Sequence, residues 1–94
     1  MNVRFERGAL SDLEEIFEYV ARDSPKAAAR LVARIRGLAG RLAETPHIRA
    51  TTRKKGFRQI PVGNYSIVYE IRVRTVIVQY VRHGARRRPW EGER

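Results

Sequence analysis

The chain has 94 residues, 43% hydrophobic and 32% charged, the composition of one small folded domain; a chain this short buries only about 60–65% of the surface its unfolded form exposes, so a deep enclosed cofactor pocket is not expected. It has no cysteine, its two histidines, His47 and His83, cannot alone close a structural metal site, and no run approaches the ~20 apolar residues of a membrane span or the apolar core of a signal peptide; no metal, no cofactor, no membrane partner and a cytoplasmic location are therefore the expectations. The formal charge of +10 lies almost wholly after Glu44, since residues 1–44 hold 8 basic and 7 acidic side chains and residues 45–94 hold 12 and 3; such a field attracts nucleic acid, an acidic protein segment or an anionic surface.

Val3 and Phe5 alternate with Arg4 and Glu6, which predicts a short first strand, broken by Gly8. Ser11-Asp12-Leu13-Glu14 has the spacing of a capping box and predicts a helix opening at Ser11. Leu13, Ile16, Phe17 and Val20 form its apolar stripe, and Glu14, Glu18 and Arg22 line another face. Ser24-Pro25 stops this helix and starts a second over residues 25–44, with Ser24 as its cap. Ala28, Leu31, Val32, Ile35, Leu38, Ala39 and Leu42 recur at threes and fours, so the two helices form an antiparallel hairpin over something flatter. Gly37 and Gly40 each cost that helix about 1 kcal/mol against alanine, which suggests close approach of a neighbour. Lys26, Arg30, Arg34 and Arg41 form its outer, solvated face.

Thr45-Pro46 ends the helix, and residues 47–55 read as a basic loop with Arg49, Arg53, Lys54 and Lys55. The period then changes to two over residues 57–62, 65–72 and 75–83, rich in Ile, Val and Tyr and separated by Gly63-Asn64 and by a tight turn near Val73-Arg74. In the last of these, Val76, Val78 and Tyr80 fall on one face and Ile77 and Val81 on the other, as in an interior strand, with the N-terminal strand beside it. Tyr65, Tyr69 and Tyr80, with Ile67 and Val78, are expected to point at the helices. The fold class is thus α+β, strand-helix-helix-strand-strand-strand: a twisted, mainly antiparallel sheet of about four strands with a helix hairpin on one face. Residues 1–94 form a single domain, with 87–94 a flexible basic tail.

Four stretches carry a family resemblance: Leu13-Glu14-Glu15-Ile16 with Pro25-Lys26-Ala27-Ala28; Leu42-Ala43-Glu44-Thr45-Pro46; Gly56-Phe57-Arg58 with Tyr65-Ser66-Ile67-Val68-Tyr69-Glu70-Ile71; and Val81-Arg82-His83-Gly84-Ala85-Arg86. Over residues 3–88 the chain resembles the RelE/ParE superfamily of type II toxin-antitoxin toxins, and its ending looks more like the ParE branch, often labelled plasmid stabilisation proteins. The resemblance implies a toxin that arrests growth when free. It also implies a cognate antitoxin that neutralises the toxin by wrapping it, with an acidic amphipathic segment, and that takes the pair to operator DNA. Two targets are implied by different branches: DNA gyrase, inhibited by contact, or messenger RNA cut on the ribosome without metal. A non-toxic nucleic-acid-binding domain also accounts for the charge.

Metal-free RNA cleavage needs a base, a cation for the growing phosphate charge and an acid for the leaving oxygen. Arg58, Arg82 and His83, with Lys54 and Lys55, are the catalytic candidates; Arg58 and His83 hold positions that resemble those of functional residues in the RNA-cleaving branch. Against cleavage, no tyrosine or histidine follows Gly84 to match that branch's C-terminal acid. His83 also reads as a strand-end histidine bonded to a carbonyl, and Arg58 as a partner of Glu70 across the sheet. Arg53, Lys54 and Lys55, and Arg86, Arg87, Arg88 and Trp90 in the tail, are the residues expected to touch a target or nucleic acid, alongside the plainer readings of a solvated loop and a disordered end. The arginines of the second half are expected to gather at one exposed end, which an antitoxin would cover.

Overall fold

The computed structural model describes residues 2–45 and 56–84, and residues 51–54 as backbone. The elements are β1 (Asn2–Phe5), α1 (Arg7–Ala21), α2 (Pro25–Leu42), β2 (Thr51–Lys54), β3 (Phe57–Val62), β4 (Tyr65–Arg72) and β5 (Thr75–His83). They build one sheet of order β1-β5-β4-β3-β2, in which β1 runs parallel to β5 and every other pair is antiparallel. The α+β class, the helix hairpin, the meander and the N-terminal strand beside the last one all match the expectation. The sheet gains a short edge strand: residues 51–54, read as loop, pair with β3, with a register shift between Thr52 and Lys54. Two β-branched threonines inside a polar run carry too little alternation to signal a strand.

The helices bury Ala9, Leu13, Ile16, Ile35, Ala39 and Leu42 against Ile60, Val62, Tyr65, Ile67, Tyr69, Val76, Val78 and Val81. Phe17, expected in the stripe, is 39% exposed. Ser24 caps α2 as expected, its hydroxyl accepting from the Ala27 N–H at 3.1 Å with Pro25 as the first helical residue. The capping box at Ser11 is not used. Instead α1 opens at Arg7, with Glu6 as N-cap and no side-chain cap, so Ser11 lies in the second turn. Gly8 is tolerated in the first turn because the helix start presses on β5: a Cβ there would lie 3.3 Å from the Gln79 carbonyl oxygen and 3.6 Å from the Tyr80 ring. Gly37 and Gly40 mark no close approach, since a Cβ at either meets nothing within 4 Å.

A bulge in β5 changes which residues face the helices. Tyr69 pairs with Val78 and Val68 with Tyr80, leaving Gln79 as the extra residue. Val81 therefore joins Val76 and Val78 in the core, while Tyr80 passes to the other face beside Val68 and is only half-buried. The expected grouping of Tyr80 with Val76 and Val78, and of Val81 with Ile77, is reversed by this single residue, because side chains alternate with a period of two. The bulge lies where β1 ends. Glu6 N–H still donates to the Val78 carbonyl at 2.9 Å, and beyond it the carboxylate of buried Asp12 in α1 accepts from the Val81 N–H at 2.8 Å. An acid on the helix thus replaces the missing strand.

Candidate functional site

His83 ends β5 opposite Tyr65, on the helix side of the sheet. The two rings meet edge to face, centroids 4.8 Å apart at 82°. The Gly84 N–H donates to the Asn64 carbonyl at 2.9 Å, which ties this strand end to the β3–β4 turn. Gly63 turns there with φ 62°, a conformation open to glycine. The guanidinium of Arg34, from α2, reaches the same turn: both its terminal nitrogens lie 3.9 Å from where a Gly63 Cβ would be. Arg34, read as part of a solvated face, thus shares the sheet end with His83.

Arg82 precedes His83 in the strand and points to the other face. Its guanidinium lies over the Tyr80 ring, 5.6 Å from the centroid. Arg58 lies opposite Tyr69 on β3, in line with Ile60 and Val62 on the helix side. Burial raises the Tyr69 hydroxyl pKa above its ordinary value, and the Arg58 charge partly offsets this. The expected Arg58–Glu70 pair is not formed. Glu70 is on the opposite face, where its carboxylate accepts from Gln79 Nε2 at 2.7 Å and lies 3.4 Å from an Arg72 guanidinium nitrogen. From Tyr65 to Tyr69 is four residues, so Arg58 and His83 are about 13 Å apart along the strands and about 10 Å across them. Arg58, Arg82 and His83 are brought to one sheet but not to one spot.

Arg53 and Lys54 fall on β2, described as backbone; Lys55, Arg86, Arg87, Arg88 and Trp90 lie outside the described residues. The described arginines of the second half do not gather at one end. Arg72 and Arg74 flank the β4–β5 turn, Arg82 is at the far end of β5, and Arg58 is on the helix side. The period-two pattern spreads them, because each strand sends alternate residues to opposite faces and adjacent strands run in opposite directions. Asp12 is a structural acid with a signal in the sequence, since the helical period places it between Ala9 and Ile16 on the buried stripe.

Among the described residues no helix is long and apolar enough to cross a membrane. A helix hairpin on one face of a mixed sheet is the fold of RelE/ParE toxins. A family model described as the ParE toxin of the type II toxin-antitoxin system, parDE, matches residues 3–88. Over 88 residues the chain is 34% identical to "Putative toxin Y4kP" of Sinorhizobium fredii (strain NBRC 101917 / NGR234), covering 93% of this chain and 92% of that protein. Among solved structures it is similar to the chromosomal ParDE system of P. aeruginosa, with TM-score 0.78, 19% identity and 88% and 95% of the two chains covered. It is also similar to the RelBE2 toxin-antitoxin complex of Mycobacterium tuberculosis, with TM-score 0.68, 25% identity and 87% and 95% covered. The chain belongs to the ParE toxin family of type II toxin-antitoxin systems.

Proposed function

We propose that this toxin arrests growth by binding DNA gyrase and that a cognate antitoxin with an acidic amphipathic segment silences it. The observation that carries the choice of target is the separation of Arg58, Arg82 and His83. RNA cleavage needs a base, a charge-stabilising cation and an acid within about 3 Å of one reacting phosphate. Here Arg82 and His83 diverge to opposite faces, and Arg58 is four registers away from His83. Inhibition by contact asks only for a rigid surface. The antitoxin reading is supported by the relatives, since the P. aeruginosa and M. tuberculosis structures are of toxin-antitoxin pairs. The same complex would carry the toxin to operator DNA.

Purified chain is expected to block gyrase supercoiling and to leave messenger RNA intact on programmed ribosomes. Cleavage on ribosomes that disappears in Arg58→Ala and His83→Ala would replace this reading by the endoribonuclease one. Harmless expression together with salt-sensitive binding to bulk DNA would point to a non-toxic nucleic-acid-binding domain.

A further inference from the structure

The hairpin between β4 and β5 turns on Val73 and Arg74, after the last ladder pair, Arg72 with Thr75. Val73 has φ 54°, and among the described residues no other non-glycine residue has a positive φ. A branched Cβ fits this region poorly; glycine or asparagine is the ordinary occupant of such a turn. The side chain gains no packing in exchange, for Val73 is 94% exposed. The turn is nevertheless braced, because the Asn2 N–H of β1 donates to the Arg74 carbonyl at 3.0 Å and Asn2 is in register with Thr75. Arg72 and Arg74 stand exposed on either side, the Arg72 side chain 67% so even while it reaches Glu70. A firmly held tip thus presents an aliphatic knob between two guanidinium groups, at the end of the sheet away from His83.

We propose that this tip is a protein-contact element, in which Val73 enters a shallow apolar depression on a partner whose rim carries carboxylates that pair with Arg72 and Arg74. Unfavourable backbone geometry at a site that contributes nothing to the core is a mark of functional use. A fully exposed aliphatic side chain finds no counterpart on a phosphate backbone, so the partner is a protein rather than nucleic acid. The inference rests on the reading of the chain as a toxin that acts by contact.

Val73→Gly and Val73→Asn in the full chain test it. Both are expected to melt higher than the parent by about 4 °C or more, because they relieve the turn, while keeping the parent's circular dichroism. Both are expected to need at least tenfold more protein to inhibit gyrase and to lose growth arrest on expression, as is Arg74→Ser. Loss of action in a chain more stable than the parent is not explicable by misfolding. A Val73→Gly chain that melts higher and acts at parental potency overturns the proposal, as does a melting temperature that rises in neither variant. Loss of action in Arg74→Ser alone indicates a charge contact of the kind nucleic acid makes and overturns it too. If the parent arrests growth without inhibiting gyrase, the gyrase reading fails by itself, and growth arrest by Val73→Gly then decides for or against the tip.

Discussion

Asp12 occupies a place where an apolar side chain would be the simple choice. It is 2% exposed, and its carboxylate takes the Val81 N–H that no strand is present to receive. A charged acceptor makes this a strong bond, and its removal strands a buried donor. Asp12→Ala is expected to cost about 2–3 kcal/mol, and Asp12→Asn, which keeps an acceptor, about 1 kcal/mol; urea unfolding of the two variants distinguishes them. Tyr69 gives a second residue-level test. Its hydroxyl is raised above the ordinary 10.0 by burial, so between that value and the folded one the native state holds a proton that the unfolded state has released. This contribution is fully present below about pH 10 and is lost as pH rises through the folded value. Stability is expected to fall on raising the pH above about 10, and to fall less in Tyr69→Phe, as denaturation midpoints across that range would show.

At the scale of elements, the helices and the meander were legible and their contacts were not. Hydrophobic period alone marks α2, but it does not say whether its glycines are buried or idle. A Cβ at Gly37 or Gly40 meets only solvent, and neither has positive φ. Gly37→Ala and Gly40→Ala are therefore expected to stabilise by up to about 1 kcal/mol each, from helix propensity and a less flexible unfolded chain. Gly8→Ala is expected to destabilise despite the same propensity gain, since the new Cβ would press on the Gln79 carbonyl at 3.3 Å, a strand atom with little room to yield. Thermal melts of the three variants give opposite signs for one chemical change. The bulge at Gln79 was invisible for a related reason: it answers to the end of β1 and the start of α1, which are 69 or more residues distant in the chain. The candidate site was legible only as residue types. Arg58, Arg82 and His83 stand out by residue type, but their faces depend on register, and Arg34 shares the end of the sheet with His83 only through the packing of α2 on the β3–β4 turn.

For the whole molecule, +10 on 94 residues is a large charge, and its distribution decides what kind of inhibitor fits. Arg72 and Arg74 are separated from Arg82 by most of the length of β4 and β5, about 23 Å, and Arg58 faces the helices. A compact acidic plug would meet one of these groups. An extended acidic segment can meet several in turn, which is what the proposed antitoxin must be. Its association is then driven by the field of the whole chain: raising salt from about 50 to about 500 mM shortens the screening length from roughly 14 to roughly 4 Å and removes the steering. The association rate is expected to fall by about tenfold or more over this range, while dissociation, governed by desolvated apolar contacts, changes far less. Stopped-flow mixing of toxin with the antitoxin's acidic segment measures both, and an association rate indifferent to salt would show that the segment is held by its apolar face alone.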